Sequence, residues 1–360
     1  MKKIFFSLFI ILSLVGNAQS FKTKNVILIT LDGFRWQELF NGPDSSLLRN
    51  KTHQDELNAA KAQFWTNNPN ESRKKLLPFF WGEIASTGEI YGNRVKQNYV
   101  NVTNKYWFSY PGYSELFVGW ADDSVNSNDK KNNPNITVFE VANKSDALKN
   151  KVAAISSWDC FPAILNEKRS NIFVNSANTA ILSPKNSPEM NLLNDLISET
   201  APYEDGVRYD IYTHHYAMEY LKANHPRLMF IGFDETDDDA HAGLYDRYLL
   251  TAHQSDKAIG ELWKWLQSQD QYRNQTTLII TCDHGRGASE NEMWRHHGEK
   301  VPGSNQTWMA IIGPDTPGLG ELSNPGQIYN NQVAMTIATL LKIEYNNPRA
   351  GKPVISSITR

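Results

Sequence analysis

The chain has little cysteine and no broad excess of positive charge. Only Cys160 and Cys282 are present among 360 residues. Two thiols cannot build the disulfide framework of a small secreted scaffold, and 40% hydrophobic residues supply a core without one. Cys282 sits in an apolar run beside Asp283, so a buried free thiol is at least as good a reading as a bridge. Thirty-six basic residues face 39 acidic ones, and no long basic stretch stands out. That excludes a general electrostatic surface for nucleic acid or anionic membranes. Internal repeats and low-complexity tracts are absent as well, and no apolar run is long enough for a comfortable membrane span.

The start of the chain stands apart. Met1-Lys2-Lys3 is basic, Ile4 to Val15 is apolar, and Gly16-Asn17-Ala18 is small. In that order they read as a secretory signal peptide over residues 1–18, without a cysteine for a lipid anchor. The expected location is therefore secreted or periplasmic, with residues 19–360 as one domain and no membrane anchor after cleavage.

Five short β-branched runs follow. They are "NVILITL" (Asn25–Leu31), "KVAAIS" (Lys151–Ser156), "RLMFIGF" (Arg227–Phe233), "TLIIT" (Thr277–Thr281) and "TWMAIIG" (Thr307–Gly313). They are continuous rather than alternating, as strands buried on both faces should be. Helical patterns lie between them, one from about Gly243 and another over Asn331–Ile343. The fold class expected is α/β, with a mostly parallel sheet covered on both faces. Asp122–Asn135 reads as a long surface loop.

In open α/β sheets, ligands bind beyond the carboxyl ends of the strands. There the sequence places acids and imidazoles. Asp32 follows the first run, "DETDDDAHAG" the third, and Asp283-His284 the fourth, while "WRHHGE" precedes the last. Asp237 and His241 are four apart, which puts both on one helical face. Each feature alone has a structural explanation. Asp32-Gly33 makes an ordinary turn, and Asp234 to Asp239 suits a helix start stabilised by the dipole. Jointly, in a chain with nine histidines, His241, His284 and His297 (or His296) beside acids point to a metal site. Carboxylates with imidazoles suit zinc, and also manganese or iron. A candidate nucleophile is Ser114 in "SYPGYSELFVG" (Ser109–Gly119), if the Pro111-Gly112 turn opens a helix. A plain N-cap is the competing explanation for Ser114.

As an ordered set these residues resemble the alkaline phosphatase superfamily, most of all its type I phosphodiesterase/nucleotide pyrophosphatase branch. The resemblance runs from "NVILITLDGFRW" to the last strands. It implies a three-layer α/β/α domain with two divalent ions, zinc foremost. One ion would be held by Asp32, Ser114, Asp283 and His284, the other by Asp237, His241 and His297. His297 is chosen over His296 because Gly298 follows it, and Asp237 over Asp234 on the motif. The Pro-x-x-Thr/Ser pattern falls on Pro111 to Ser114. Asn128 is a candidate for the phosphoryl oxygens, and Arg35, Lys131 and Arg286 are cations near the motifs. Trp36, Trp107, Tyr110 and Tyr113 are aromatics that could stack on a leaving group.

The activity implied is hydrolysis of a small phosphorylated substrate through a phosphoseryl intermediate. A sulfatase signature, Cys or Ser followed by x-Pro-x-Arg, is not met at Ser114, which "ELFV" follows. The same residues would also serve phosphonate hydrolysis on this fold, or a protein that binds metal or phosphate without catalysis.

Overall fold

The computed structural model describes residues 21–49 and 54–354. The leader read over residues 1–18 lies outside them.

Eight strands form one large sheet. Strand β1 (Asn25–Leu31) lies at its centre, between β6 (Leu228–Phe233) and β7 (Thr276–Thr281), and pairs parallel to both. On the β6 side follow β4 (Val152–Ser156) and β5 (Phe173–Ser176), also parallel. On the β7 side, β9 (Met309–Ile312) runs antiparallel. Beyond it come β2 (Glu89–Tyr91) and β10 (Gly320–Glu321), and the full order is β10-β2-β9-β7-β1-β6-β4-β5. The sheet is thus mostly parallel, with β9 reversed. A second sheet, β11-β3-β8, joins Gly326–Tyr329, Asn98–Asn101 and Gln306–Thr307.

The period of two along β1 shows why both faces are covered. Ile27, Ile29 and Leu31 pack into one apolar cluster, and Val26 and Leu28 into another. The long helix Tyr245–Ser268 covers the first face, and the helices Ser109–Val118 and Val333–Leu341 cover the second. This is the three-layer α/β/α arrangement expected from continuous apolar strands.

One run reads differently in three dimensions. "TWMAIIG" is not a single strand; β8 ends at Thr307 and β9 begins at Met309. Trp308 separates them. Its ring packs edge-on against Phe34 and Phe80, and its indole N–H donates to Phe34 O at 2.8 Å. Burying that side chain takes precedence over extending the ladder. Cys160 and Cys282 are both buried and free.

Candidate metal centre and nucleophile

The adjacent central strands β6, β1 and β7 end on one edge of the sheet. Asp32 is the first residue past β1, and Asp283 is the second past β7. Past β6 comes Asp234, then the short helix Glu235–Ala242 that carries Asp237 and His241. Gly33 has φ +56°, and a Cβ there would sit 2.6 Å from Asp237 Oδ1, so the turn after β1 needs glycine.

Three atoms converge at these ends. His284 Nε2 lies 3.3 Å from Asp32 Oδ1 and 3.5 Å from Asp283 Oδ2. Both of those oxygens are buried without a hydrogen-bond partner. Their sister oxygens are occupied: Tyr113 donates to Asp32 Oδ2 at 2.9 Å, and Gly33 N to Asp283 Oδ1 at 3.2 Å. His284 Nδ1 faces Gly285 O at 2.9 Å, which turns the Nε2 lone pair inward. A tetrahedral zinc with ligands at ~2.0–2.2 Å has ligand–ligand edges of roughly 3.3–3.6 Å. The two orphaned oxygens and the imidazole nitrogen fit a divalent ion on that geometry.

A second group adjoins the first. Asp237 Oδ2 is 3.1 Å from His241 Nε2, Asp237 Oδ1 is 3.7 Å from His297 Nε2, and the two imidazole nitrogens are 2.9 Å apart. Rings of His284 and His297 stack with centroids 4.0 Å apart. Asp237, not Asp234, meets the histidines. His297, not the exposed His296, enters the cluster, with Nδ1 3.3 Å from Trp107 O.

The charge balance argues for cations. Burial first, and then the Asp237 carboxylate, push the Asp32 carboxyl up to about 7. Burial and Asp32 push Asp283 well above the usual carboxylate range, and burial and Asp32 do the same to Asp234. Burial holds His284 down at about 4 and His297 well below its ordinary value, so both rings are neutral and able to ligate. Asp237 stays low despite burial because the Arg286 guanidinium faces it.

Ser114 is not at this cluster. Its hydroxyl accepts from Asn133 Nδ2 at 3.0 Å inside the core. Ser109 is there instead, with Oγ 3.4 Å from His284 Nε2. The helix starts at Ser109, with Phe108 extended at its N-cap, so Pro111 and Gly112 lie in its first turn rather than before it. Proline is tolerated there because its missing N–H costs no bond. Five helical residues turn the chain by about 500° and advance it by about 7.5 Å, so Ser114 cannot share the direction of Ser109. Gly112 lets the helix dock, since a Cβ would lie 2.5 Å from Asp283 O. The spacing Ser109-x-Pro111 carried the missed signal. There the sulfatase pattern is followed as far as Gly112, and Tyr113 stands where it has Arg.

Other candidates are redistributed. Asn128 is exposed, and its Oδ1 accepts from Tyr110 N at 3.0 Å, which brings its side chain to the first turn of the Ser109 helix. Arg286 is no surface cation. It is buried, pairs with Asp237, and donates to Trp294 O and Arg295 O at 2.8 and 2.7 Å, tying down the segment that leads to His297. Arg35 is buried against Glu38. Lys131 pairs with Asp129 on the surface. Tyr110 and Tyr113 are buried and hydrogen-bonded through their hydroxyls, so they are not stacking platforms. Trp36 bonds Gln306 Oε1 through its indole N–H at 2.9 Å.

Comparison with known proteins agrees with this architecture. The sulfatase family model matches residues 211–335. Among curated proteins, none matches the chain by sequence. Solved structures that it resembles include the lipoteichoic acid synthase LtaP from Listeria monocytogenes, at 13% identity and a TM-score of 0.56, covering 93% of this chain and 76% of that one. Wild-type alkaline phosphatase PafA aligns at 11% identity and a TM-score of 0.58, covering 94% and 99%. The phosphonate monoester hydrolase of Agrobacterium radiobacter aligns at 12% and 0.57, covering 93% and 77%. The chain thus matches a sulfatase family model over residues 211–335 and is similar in fold to solved members of the alkaline phosphatase superfamily.

Proposed function

We propose that the protein is an exported two-metal hydrolase of phosphoric esters in which Ser109 is the nucleophile. The observation that carries this reading is the place of Ser109 Oγ. It stands 3.4 Å from His284 Nε2, beside the orphaned oxygens of Asp32 and Asp283. Asp32, Ser109, Asp283 and His284 would hold one ion, and Asp237, His241 and His297 the other, zinc being the best match to the donors. Bound divalent ions supply the charge that lowers the pKa of a hydroxyl and offsets charge developing on phosphoryl oxygens.

The chain's own part is then as follows. Ser109 gives up its proton to solvent, its oxygen bonds to phosphorus, and the ester oxygen leaves with the bonding pair. Water then attacks the phosphoserine, and Ser109 Oγ departs as phosphate or a phosphomonoester is released. An anionic phosphoryl group is favoured at this helix N-terminus. The Asn128 amide, fixed at its oxygen by Tyr110 N–H, is the added donor to it. Sulfate esters are a second reading, supported by the family match over residues 211–335. It is disfavoured by Tyr113 in the position of the signature arginine.

The test compares Ser109→Ala with Ser114→Ala on p-nitrophenyl phosphate, bis-p-nitrophenyl phosphate and p-nitrophenyl sulfate, zinc-loaded and chelated. Ser109→Ala is expected to lower kcat at least ~10³-fold, about 4 kcal/mol, with metal retained. Ser114→Ala is expected to lower it far less. Full turnover by Ser109→Ala, or release from none of the three esters by the zinc-loaded protein, would reject the proposal.

A further inference from the structure

We propose that Tyr113 is a positioning residue: its phenol holds Asp32 to one ligating oxygen and locks the nucleophile's helix to the metal-bearing strand. This inference rests on the two-metal reading above. Ser109 and Tyr113 are four residues apart on the same helix, so they share a face. The hydroxyl of Tyr113 donates to Asp32 Oδ2 at 2.9 Å and accepts from Thr30 Oγ1 at 3.4 Å. That leaves Asp32 Oδ1 as the orphaned oxygen 3.3 Å from His284 Nε2. The ring itself is fully buried and fixed by Phe161 at 4.7 Å, Phe230 at 6.1 Å and Phe117 at 6.3 Å between centroids. The hydroxyl is therefore delivered by a rigid aromatic cluster, with little rotamer freedom to lose.

Two consequences follow. Asp32 cannot swing to a two-oxygen grip while Oδ2 is taken, so its ion keeps a coordination position for Ser109. And the helix cannot slide along the sheet edge without breaking the Asp32 bond, which couples the position of Ser109 to that of the ion. The residue that replaces the arginine of the sulfatase pattern would thus face a ligand of the metal rather than the substrate.

The experiment measures zinc affinity of the full protein by competition with a chromogenic chelator, for wild type, Tyr113→Phe, Thr30→Val and Tyr345→Phe. Wild type is expected to bind two zinc ions in two phases. Tyr113→Phe keeps the ring and is expected to weaken one phase by about 10–100-fold, the usual effect of losing a partner of a metal ligand. Thr30→Val should move the same phase by less. Tyr345→Phe removes a phenol that bonds Val118 O and Ile136 O at the far end of the same helix, and should move neither phase. Two unshifted phases in Tyr113→Phe overturn the inference and leave the two-metal reading standing, as do equal shifts in Tyr113→Phe and Tyr345→Phe. If Tyr113→Phe fails to fold, an unshifted Thr30→Val overturns it. A wild type that binds fewer than two ions overturns both.

Discussion

Two clusters of buried charge lie three residues apart along the chain and behave in opposite ways. Arg35 and Glu38 are both fully buried, and every strong group has a partner. Arg35 donates to Glu38 Oε2 at 2.9 Å and to Gly287 O at 3.1 Å, and Tyr245 donates to Glu38 Oε1 at 2.9 Å. Burial opposes the charge on Arg35, but Glu38 more than restores it. Around Asp32 the carboxylates repel one another, and Oδ1 of Asp32 and Oδ2 of Asp283 have no partner. A satisfied cluster is complete as it stands, whereas an orphaned one is shaped for something to be added.

Substitutions should separate the two. Asp283→Asn is expected to have the largest effect. Metal content should fall by one ion per chain, and phosphoesterase kcat by ~10³-fold or more. The same change should stabilise the metal-free protein at pH 7, by ~1 kcal/mol or more, since it removes the charge of a buried carboxylate whose Oδ2 has no partner. The sign follows from its raised folded pKa. Such a group favours folding below the unfolded value and loses that contribution as pH rises. Denaturant melts of the metal-free protein check this, and a destabilised Asp283→Asn would remove the contrast.

Glu38→Gln should do the reverse. It leaves the Arg35 charge buried and unpaired, at a cost of roughly 3–5 kcal/mol with or without metal, while zinc affinity stays unchanged. A large change in affinity would mean that the two clusters are one. The smallest effect is expected at His214, which lines a cavity of about 320 Å³ with Asp210 and Glu235, and none of the proposed metal ligands lines it. Burial, and then His215, hold its pKa at about 4. Neutral His214 therefore contributes stability that is full above pH 6.5 and lost between about pH 6.5 and 4. His214→Gln should flatten the pH dependence in that window by on the order of 1 kcal/mol. An unchanged slope would assign the acid sensitivity to other groups.

Much of this was legible in the sequence because it depends on local pattern. The central strands announce themselves as β-branched runs buried on both faces, and acids and imidazoles just past their ends are placed by the sheet alone. Asp237 and His241 were readable from helical spacing. What escaped depends on where a helix begins. Pro111-Gly112 reads as a turn, yet the structure absorbs both into a first turn, moving the start from beyond Gly112 back to Ser109. That shift by a few residues exchanges one serine for another. Arg35 and Arg286 escaped for a different reason. A lone arginine reads as a surface charge; Glu38 stands three residues from Arg35, but only the fold buries that pair and brings Asp237 to Arg286. The short strands β2, β3, β10 and β11 have too few residues for a period to show.

The side chains proposed to face metal follow three neighbouring strands whose sequence positions lie some 200 and 50 residues apart, with His297 added from the segment beyond Arg295. No hairpin or single loop contains even one complete ligand set. Local pairs such as Asp237 with His241 supply only part of a set, and the central sheet must close before a full cradle exists. On the two-metal proposal, the ions would be taken up by an already folded protein, under the control of whatever metal the surroundings offer.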